Sequence, residues 1–336
     1  MSKSTLFCGG GAVERKLKYY NSVVDGNGCI YSCDMLRLKF HIGNHIAQTF
    51  LNYINRLEFA FNFRMEYHKS RTLKIGSYRH LFTCKYDDFT FVIGCGLILA
   101  DNTNGMDCFI EFNPNKCEMS YMMMILDRIS VFLHPINNEY FRLIRWDLAV
   151  DLPFPRSDVV LVKEGKRAYC KQISNSVTEY LGARNTSGFV KLYDKTVESD
   201  LYYDLTRLEI TFDSFDNLKL PSVCVLGEYD DDLFELNSTD KVLLRLLRTV
   251  DYETQQQYLK ELGRVKRQKL KDYLFPRETK LVYNYFCIDI VILGIKEILC
   301  VERDNHLRFG ILGDIEKKVR EGVPDDEIFE QYSLFG

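Results

Sequence analysis

Polar and apolar residues alternate along several short stretches of this chain, and this alternation restricts the fold to one rich in antiparallel sheet. In residues 144–151 (IRWDLAVD), every second residue is large and apolar, while Arg145, Asp147 and Asp151 carry charge. Side chains alternate between the two faces of a strand, so one face of this strand is apolar and the other is polar. The 23 Phe and 21 Tyr residues suit a core built on sheet.

The same reasoning predicts the other elements of the first two thirds of the chain. Alternation predicts strands over residues 35–42, 61–66, 78–85, 89–98, 108–113 and 204–213, and helical spacing predicts helices over 46–57, 119–133 and 158–168. The order of these elements suggests two β-α-β-β-β-like modules, about residues 31–115 and 116–225. We therefore expect an α+β fold in which antiparallel sheets carry packed helices.

The two ends of the chain have a different pattern. Residues 1–30 show little periodicity and predict an N-terminal arm. After Asp213 the sequence becomes loop-rich and acidic, including the run Asp230–Asp232, and the spacing is helical from Asp240 onward. We place a domain boundary near residue 225 and expect a helical C-terminal domain over residues 226–336.

Composition restricts the cellular setting and the kind of partner. The formal net charge is −3 over 336 residues, so any nucleic-acid site must be a local patch rather than a field of the whole protein. None of the 11 cysteines forms a CxxC pair, which is typical of reduced thiols in the cytoplasm. The apolar stretch 281–300 contains Asn284, Asp289 and Lys296, which favours a buried helix over a membrane span.

Residues 177–195 read as a hairpin with a polar turn, and its second strand carries an unusual tyrosine. Lys191, Tyr193 and Lys195 are spaced two residues apart and should share one face. Lysines beside a phenol favour the phenolate and attract phosphate. The pattern predicts that Tyr193 is a nucleophile that attacks a DNA phosphate, which leaves a 5′-phosphotyrosine and a free 3′-hydroxyl.

Four carboxylates fall on the polar faces of the predicted strands: Glu111, Asp147, Asp151 and Glu209. If the strands are neighbours, these like charges need neutralising, and hard oxygen ligands favour Mg²⁺ or Mn²⁺. A metal there would also polarise a scissile phosphate. The alternative is an ordinary half-exposed antiparallel sheet with surface salt bridges.

Five segments of the chain, in order, resemble the Rep_trans family of rolling-circle replication initiation factors of bacterial plasmids, phages and conjugative elements. They are EFNPNK (111–116), RWDLAVD (145–151), YLGAR (180–184), FVKLYDK (189–195) and RLEI (207–210). The resemblance implies a divergent rolling-circle Rep/relaxase fold and an enzyme that nicks one strand at a double-stranded origin. It implies attachment of that strand through Tyr193 and an acidic metal site. A homodimer and a host helicase partner are further implications of the resemblance.

Basic residues near the predicted site are candidates for holding phosphates. They are Lys116, Arg145, Arg184, Lys191, Lys195 and Arg207. A second basic group lies in KELGRVKRQKLK, where helical spacing places Lys260, Arg264, Arg267 and Lys271 on one side. This helix either docks on the origin duplex, as the resemblance implies for the C-terminal part, or presents a solvated charged face.

Three other functions are compatible with the same residues. A conjugative relaxase would nick a transfer origin with the same tyrosine. A non-enzymatic DNA-binding regulator could use the same scaffold, although Tyr193, Asp147 and Glu209 argue against it. A metal-dependent phosphodiesterase that uses water would not need Tyr193.

Overall fold

The computed structural model describes most of the chain: residues 21–61, 64–73, 76–86, 89–97, 105–134, 140–163, 168–174, 176–227, 236–250, 252–274, 278–299 and 305–332. Residues 1–20 of the expected arm and the acidic run Asp230–Asp232 lie outside the described residues. The chain divides into two compact units. The first takes its described residues from Met1–Pro153, Arg167–Leu220 and Asn284–Gly336, and the second from Phe154–Lys166 and Pro221–Tyr283.

The first half of the first unit contains a long strand, a helix and a four-stranded meander. The elements are β1 (Ser22–Val24), β2 (Ile30–Gly43), α1 (Ala47–Phe61), β3 (Arg64–Leu73), β4 (Gly76–Tyr86), β5 (Phe89–Leu97) and β6 (Gly105–Phe112). Strands β3 to β6 pair in succession, and β6 then returns to pair with β2. Part of the expected arm is therefore ordered sheet, because β1 pairs with the start of β2.

The second half of this unit repeats the strand order. Its elements are α2 (Met119–Ser130), β7 (Arg142–Leu152), β9 (Tyr169–Ile173), β10 (Val177–Leu181), β11 (Val190–Asp194), α3 (Lys195–Ser199) and β12 (Thr206–Phe212), and β8 (Val159–Leu161) belongs to the second unit. Strands β9 to β12 pair in succession, and β12 returns to pair with β7.

The two halves join through their longest strands, because β2 pairs with β7. The strand order across the sheet is β3-β4-β5-β6-β2-β7-β12-β11-β10-β9, with β1 beside β2. Each central strand is thus followed in the chain by a meander whose last strand lies next to it. This arrangement confirms the α+β class and shows the same strand order in both halves of the sheet.

The helix predicted over residues 158–168 is wrong for the described part of that stretch. Arg156–Asp158 form a 3₁₀ turn, and Val159–Leu161 form β8. Val159 and Leu161 are buried while Val160 is partly exposed, which is the period of a strand. Two adjacent β-branched residues also favour strand over helix.

In its described residues, the second unit combines a small sheet with three α-helices. Its remaining elements are β13 (Val223–Leu226), α4 (Ser238–Arg248), α5 (Tyr252–Glu261), α6 (Arg264–Leu274) and β14 (Glu278–Lys280). The sheet order is β14-β13-β8. Leucines from the helices form the core: Leu236, Leu244, Leu247, Leu259, Leu270 and Leu274.

The last helices belong to the first unit, which differs from the expected domain 226–336. They are α7 (Tyr285–Leu299), α8 (Asn305–Arg320) and α9 (Asp325–Gln331). Helix α7 buries Ile288, Val291, Ile295 and other apolar residues and packs against β1 and β2. Its apolar surface needs a sheet to cover it, so it returns to the first unit. None of the described helices has the length and apolarity needed to cross a membrane.

One face of the large sheet forms the core of the first unit. Leu36, Leu148 and Ile210, on three neighbouring strands, are fully buried. Phe50 of α1 packs edge-on against Phe40 of β2, with ring centroids 6.0 Å apart. The alternate residues of the same strands project from the opposite face, and that face carries the charged residues.

Candidate functional site

Strand pairing gathers the predicted residues of β7, β12 and β11 on one face. Tyr193 lies opposite Arg207, and Arg207 lies opposite Asp151. One pair further along, Lys191 lies opposite Glu209. Directly opposed residues project from the same face of an antiparallel sheet, so these five side chains are neighbours.

Glu111 does not join this group in the expected way. Strand β2 lies between β6 and β7, so Glu111 lies opposite Arg37 instead of a residue of β7. Arg37 in turn lies opposite Arg145. Sequence reasoning missed Arg37 and Asp34 as site residues, although the alternation of β2 already placed Arg37 on a polar face.

Tyr193 and Glu209 form a direct pair. The Tyr193 hydroxyl donates a hydrogen bond to Glu209 Oε1 at 2.6 Å. Tyr193 is only 5% exposed, yet it lies on the polar face and not in the apolar core. Lys191 Nζ lies 3.6 Å from the centroid of the Tyr193 ring and 3.7 Å from Glu209 Oε2. The phenol, carboxylate and ammonium therefore form one cluster.

Both acidic groups of the cluster hold their protons more tightly than usual. Burial, and then the negative charge of Glu209, raise the pKa of Tyr193 above its usual value of 10. Burial, and then the nearby Asp34, raise the pKa of Glu209 above 4.5, although Lys191 acts in the opposite direction. The expectation that flanking lysines make Tyr193 more acidic is therefore wrong for the ground state.

The alternation predicts that Lys195 continues the strand of Tyr193, but in the structure it does not. Strand β11 ends at Asp194, whose side chain accepts a hydrogen bond from Val197 N at 3.0 Å and so caps α3. Lys195 is the first residue of α3 and pairs with Glu198. Its Nζ still lies 5.8 Å from the centroid of the Tyr193 ring. Lys195 thus reaches the site from a helix.

Asp151 is engaged by Arg207 through both oxygens. Arg207 Nε lies 2.5 Å from Asp151 Oδ1, and Nη2 lies 2.7 Å from Oδ2. Nη1 donates to Asp34 Oδ1 at 3.1 Å, and Asn113 Nδ2 donates to the same oxygen at 3.0 Å. Arg207 is 4% exposed and Asp151 is fully buried. Arg207 is therefore a buried structural cation and not the phosphate ligand that the sequence suggests.

Asp147 and Glu111 are paired in the same manner. Arg145 Nε lies 2.9 Å from Asp147 Oδ1, and Nη2 lies 2.7 Å from Oδ2. Arg37 Nε lies 2.5 Å from Glu111 Oε2. These are charge-assisted hydrogen bonds, and the Arg145 pair has the bidentate geometry that arginine favours.

The four predicted carboxylates do not fit a divalent-cation site in this arrangement. Asp147, Asp151 and Glu111 each form an ion pair with an arginine. Glu209 accepts a hydrogen bond from Tyr193 and forms an ion pair with Lys191. Within the described residues, no three His, Cys, Asp or Glu side chains are grouped so that they could hold a metal. The expected repulsion among like charges is relieved here by arginine side chains.

The other predicted phosphate-binding residues differ in their availability. Lys116, Arg184 and Arg264 are exposed. Arg145 is partly buried against Asp147. Arg267, however, donates from Nη2 to the carbonyl oxygens of Lys260 at 2.8 Å and Leu262 at 2.9 Å, on the segment before α6. Its guanidinium therefore fixes the turn between α5 and α6.

Comparison with solved structures shows a distant likeness to a replication protein. A rolling circle replication initiator protein from Geobacillus stearothermophilus matches over 81% of this chain and 97% of its own chain, with 13% identity and a TM-score of 0.33. No family model and no curated protein match the chain. At this identity and TM-score the likeness establishes neither the family nor the activity of the chain.

The buried Arg207–Asp151 pair predicts a large stability effect. Arg207→Met leaves the carboxylate of Asp151 buried without its cation, so the free energy of unfolding should fall by about 3–5 kcal/mol. Urea unfolding followed by fluorescence of Trp146, the single tryptophan of the chain, measures this loss. The double variant Arg207→Met with Asp151→Leu should recover most of the stability. Equal losses in the single and double variants would contradict the ion-pair interpretation.

The raised pKa of Glu209 predicts a pH-dependent stability. The folded chain binds the Glu209 proton more tightly than the unfolded chain, so this group's contribution to stability falls as pH rises above 4.5 towards the folded pKa. Glu209→Gln keeps an acceptor for Tyr193 but does not titrate. Its stability relative to the wild type should therefore increase over that pH range in urea unfolding. A difference that stays constant with pH would show that the pKa of Glu209 does not change on folding.

Proposed function

We propose that this protein nicks one strand of DNA at a specific site through Tyr193 and so initiates rolling-circle replication. The observation that carries the proposal is the hydrogen bond from the Tyr193 hydroxyl to Glu209 Oε1, 2.6 Å long, on the charged face of the sheet. A nucleophile hydrogen-bonded to a base is the arrangement that covalent catalysis requires. Lys191, beside both groups, supplies the positive charge that a phosphate needs.

The reaction follows from this geometry. Glu209 accepts the phenol proton as the Tyr193 oxygen attacks phosphorus, and a carboxylate whose pKa is raised is a stronger base than an ordinary one. The new bond joins the Tyr193 oxygen to phosphorus while the bond from phosphorus to the 3′ oxygen breaks. The 3′ oxygen leaves with a proton from solvent. The reaction exchanges one phosphodiester bond for another, the 5′-phosphotyrosine. The reverse reaction can therefore rejoin the strands.

Positive charge at the site supports binding of the scissile phosphate. Lys191 is held between the Tyr193 ring and Glu209, and Lys195 approaches the same ring from α3. When Glu209 takes up the phenol proton it becomes neutral, so Lys191 loses its carboxylate partner. The ammonium is then free to stabilise the negative charge that develops on the phosphate oxygens.

The order of the five sequence segments supports initiation of replication as the biological role. These segments resemble replication initiators, and a homodimer and a host helicase are part of what the resemblance implies. A relaxase would use the same tyrosine at a transfer origin, so the DNA sequence that is cut distinguishes the two roles. Neither role changes the chemistry proposed for Tyr193.

We also propose that α6 binds the origin duplex. Arg264, Val265 and Gln268 are exposed on this helix, while Leu270 and Leu274 face the core of the second unit. The link to α5 is two residues long, Leu262 and Gly263. Helices presented in this way place the side chains of their first turns in the major groove. Arg267 takes no part in the contact because it fixes the turn.

The nicking reaction is tested with supercoiled plasmid that carries the protein's own gene. The wild-type chain should relax the plasmid and remain attached to a 5′ end, whereas Tyr193→Phe should give no attachment while duplex binding persists. Denaturing gel electrophoresis after nuclease digestion detects the attached protein. Tyr202→Phe is the matched control, because Tyr202 is 55% exposed and outside the cluster.

The same assay has two further arms. Reactions with Mg²⁺, Mn²⁺ or EDTA measure the dependence on a divalent cation that the sequence predicts. Glu209→Gln should slow attachment strongly, because the amide cannot accept the phenol proton. Attachment that persists in Tyr193→Phe would show that Tyr193 is not the nucleophile. An unchanged rate of attachment in Glu209→Gln would show that Glu209 is not the base.

The contact of α6 predicts a change in salt dependence. Arg264→Ala should weaken binding to the origin duplex and lower the slope of log affinity against log salt by about one, as expected for one lost phosphate contact. Arg245→Ala on α4 removes an exposed arginine from the same unit and is the control. Fluorescence anisotropy with labelled duplex over a salt series gives both values. Identical slopes for the two variants would show that α6 is a solvated face.

A further inference from the structure

The hairpin that carries Tyr193 also holds an aromatic pair on the same face of the sheet. Tyr180 of β10 lies directly opposite Lys191 of β11, so their side chains project from the same face. Phe189 immediately precedes β11, and its ring stacks against that of Tyr180 on the same face. The face therefore runs from Tyr193 through Lys191 to two aromatic rings.

The two rings are nearly parallel, and the guanidinium of Arg184 lies over one of them. The centroids of Tyr180 and Phe189 are 6.0 Å apart with an interplanar angle of 17°. The guanidinium carbon of Arg184 lies 5.0 Å from the centroid of the Tyr180 ring. Both rings are partly exposed and Arg184 is exposed. Flat, accessible π surfaces beside a cation are the elements of a stacking platform for nucleobases.

The loop that presents these residues is held in a fixed shape. Gly182, Asn185 and Gly188 all have positive φ angles, of 94°, 64° and 79°. Gly188 N donates to the carbonyl oxygen of Thr211 at 2.7 Å, and this bond fastens the loop to β12. Little conformational entropy is then lost when a ligand binds, which favours a preformed site.

Arg184 differs from the other arginines on this face. Arg37, Arg145 and Arg207 each pair with a carboxylate. In the part of the chain that the structure describes, no carboxylate pairs with Arg184, and its guanidinium rests on Tyr180. A cross-strand aromatic pair would stabilise the hairpin without such an arginine. The exposed cation over the ring points instead to a ligand that has both a π surface and a phosphate.

We propose that Tyr180, Phe189 and Arg184 form a subsite that stacks a nucleobase of single-stranded DNA beside the phosphate attacked by Tyr193. This inference rests on the proposed nicking function and adds the subsite that positions the strand. Because every base has a π face, the subsite selects an unpaired base without reading its identity. A base on Tyr180 leaves its backbone beside Lys191, which opposes Tyr180 and contacts the Tyr193 ring.

Binding of short single strands tests the subsite without any cleavage. The full chain with Tyr193→Phe is titrated with a labelled oligothymidine and with an abasic oligonucleotide of the same length. The base-bearing strand should bind about tenfold more tightly, as expected when one base is stacked. Adding Tyr180→Leu should abolish this ratio while the affinity for the abasic strand stays unchanged. Fluorescence anisotropy measures both affinities.

Two further variants separate stacking from loss of structure. Tyr180→Phe keeps the ring and should keep the tenfold ratio. Tyr67→Leu removes a 46% exposed tyrosine that stacks on His80 in the first half of the sheet. This variant should also keep the tenfold ratio. Equal affinities for the two oligonucleotides before Tyr180 is changed would overturn the subsite. An equal loss of affinity for both oligonucleotides in the Tyr180→Leu variant would overturn it as well.

The outcome for the subsite is distinguishable from the outcome for nicking. Covalent attachment to the plasmid is measured with Tyr193 intact, whereas base preference is measured with Tyr193→Phe. Attachment without base preference would remove the subsite and leave the nicking function. Base preference without attachment would leave a single-strand binding site and remove the nicking function.

Discussion

The negative charges of several carboxylates lie close together on one face of the large sheet and must be neutralised. The arrangement of that face depends on the ion pairs that neutralise them. Arginines from the same or adjacent strands supply the charge: Arg207 holds Asp151, Arg145 holds Asp147, and Arg37 holds Glu111. Removing one member of a buried pair is costly because the remaining charge loses both solvent and partner. These pairs therefore fix the rotamers of the face and the spacing of its functional groups.

Among the described residues, Glu209 is the predicted carboxylate that forms no ion pair with an arginine, which sets it apart from Asp147, Asp151 and Glu111. Its partners are the hydroxyl of Tyr193 and the ammonium of Lys191. Burial and Asp34 raise the pKa of Glu209, and burial raises the pKa of Tyr193, so both groups hold their protons more tightly than usual. The arginine pair and the proposed proton acceptor thus lie two residues apart on β12, at Arg207 and Glu209.

The pseudo-symmetric topology explains why distant segments meet. Because β12 and β6 each return beside the long strand of their own module, residues about 56 positions apart, such as Asp151 and Arg207, become direct neighbours. The pairing of β2 with β7 then brings Asp34 of the first module to Arg207 of the second. Both modules contribute to the site, although Tyr193 lies in only one of them.

The sequence by itself determined most strands of the large sheet, their polar and apolar faces and the hairpin of Tyr193, because alternation is a local property of each segment. It also determined that the apolar stretch 281–300 contains a helix, α7, although only one face of that helix is buried. Only the tertiary structure decided which strands are neighbours, and hence that β2 separates Glu111 from Asp147. It likewise decided that α7 packs on the first unit and that residues 159–161 join another sheet. Partner choice depends on contacts between residues far apart in the chain, and a local pattern of polar and apolar residues does not encode them.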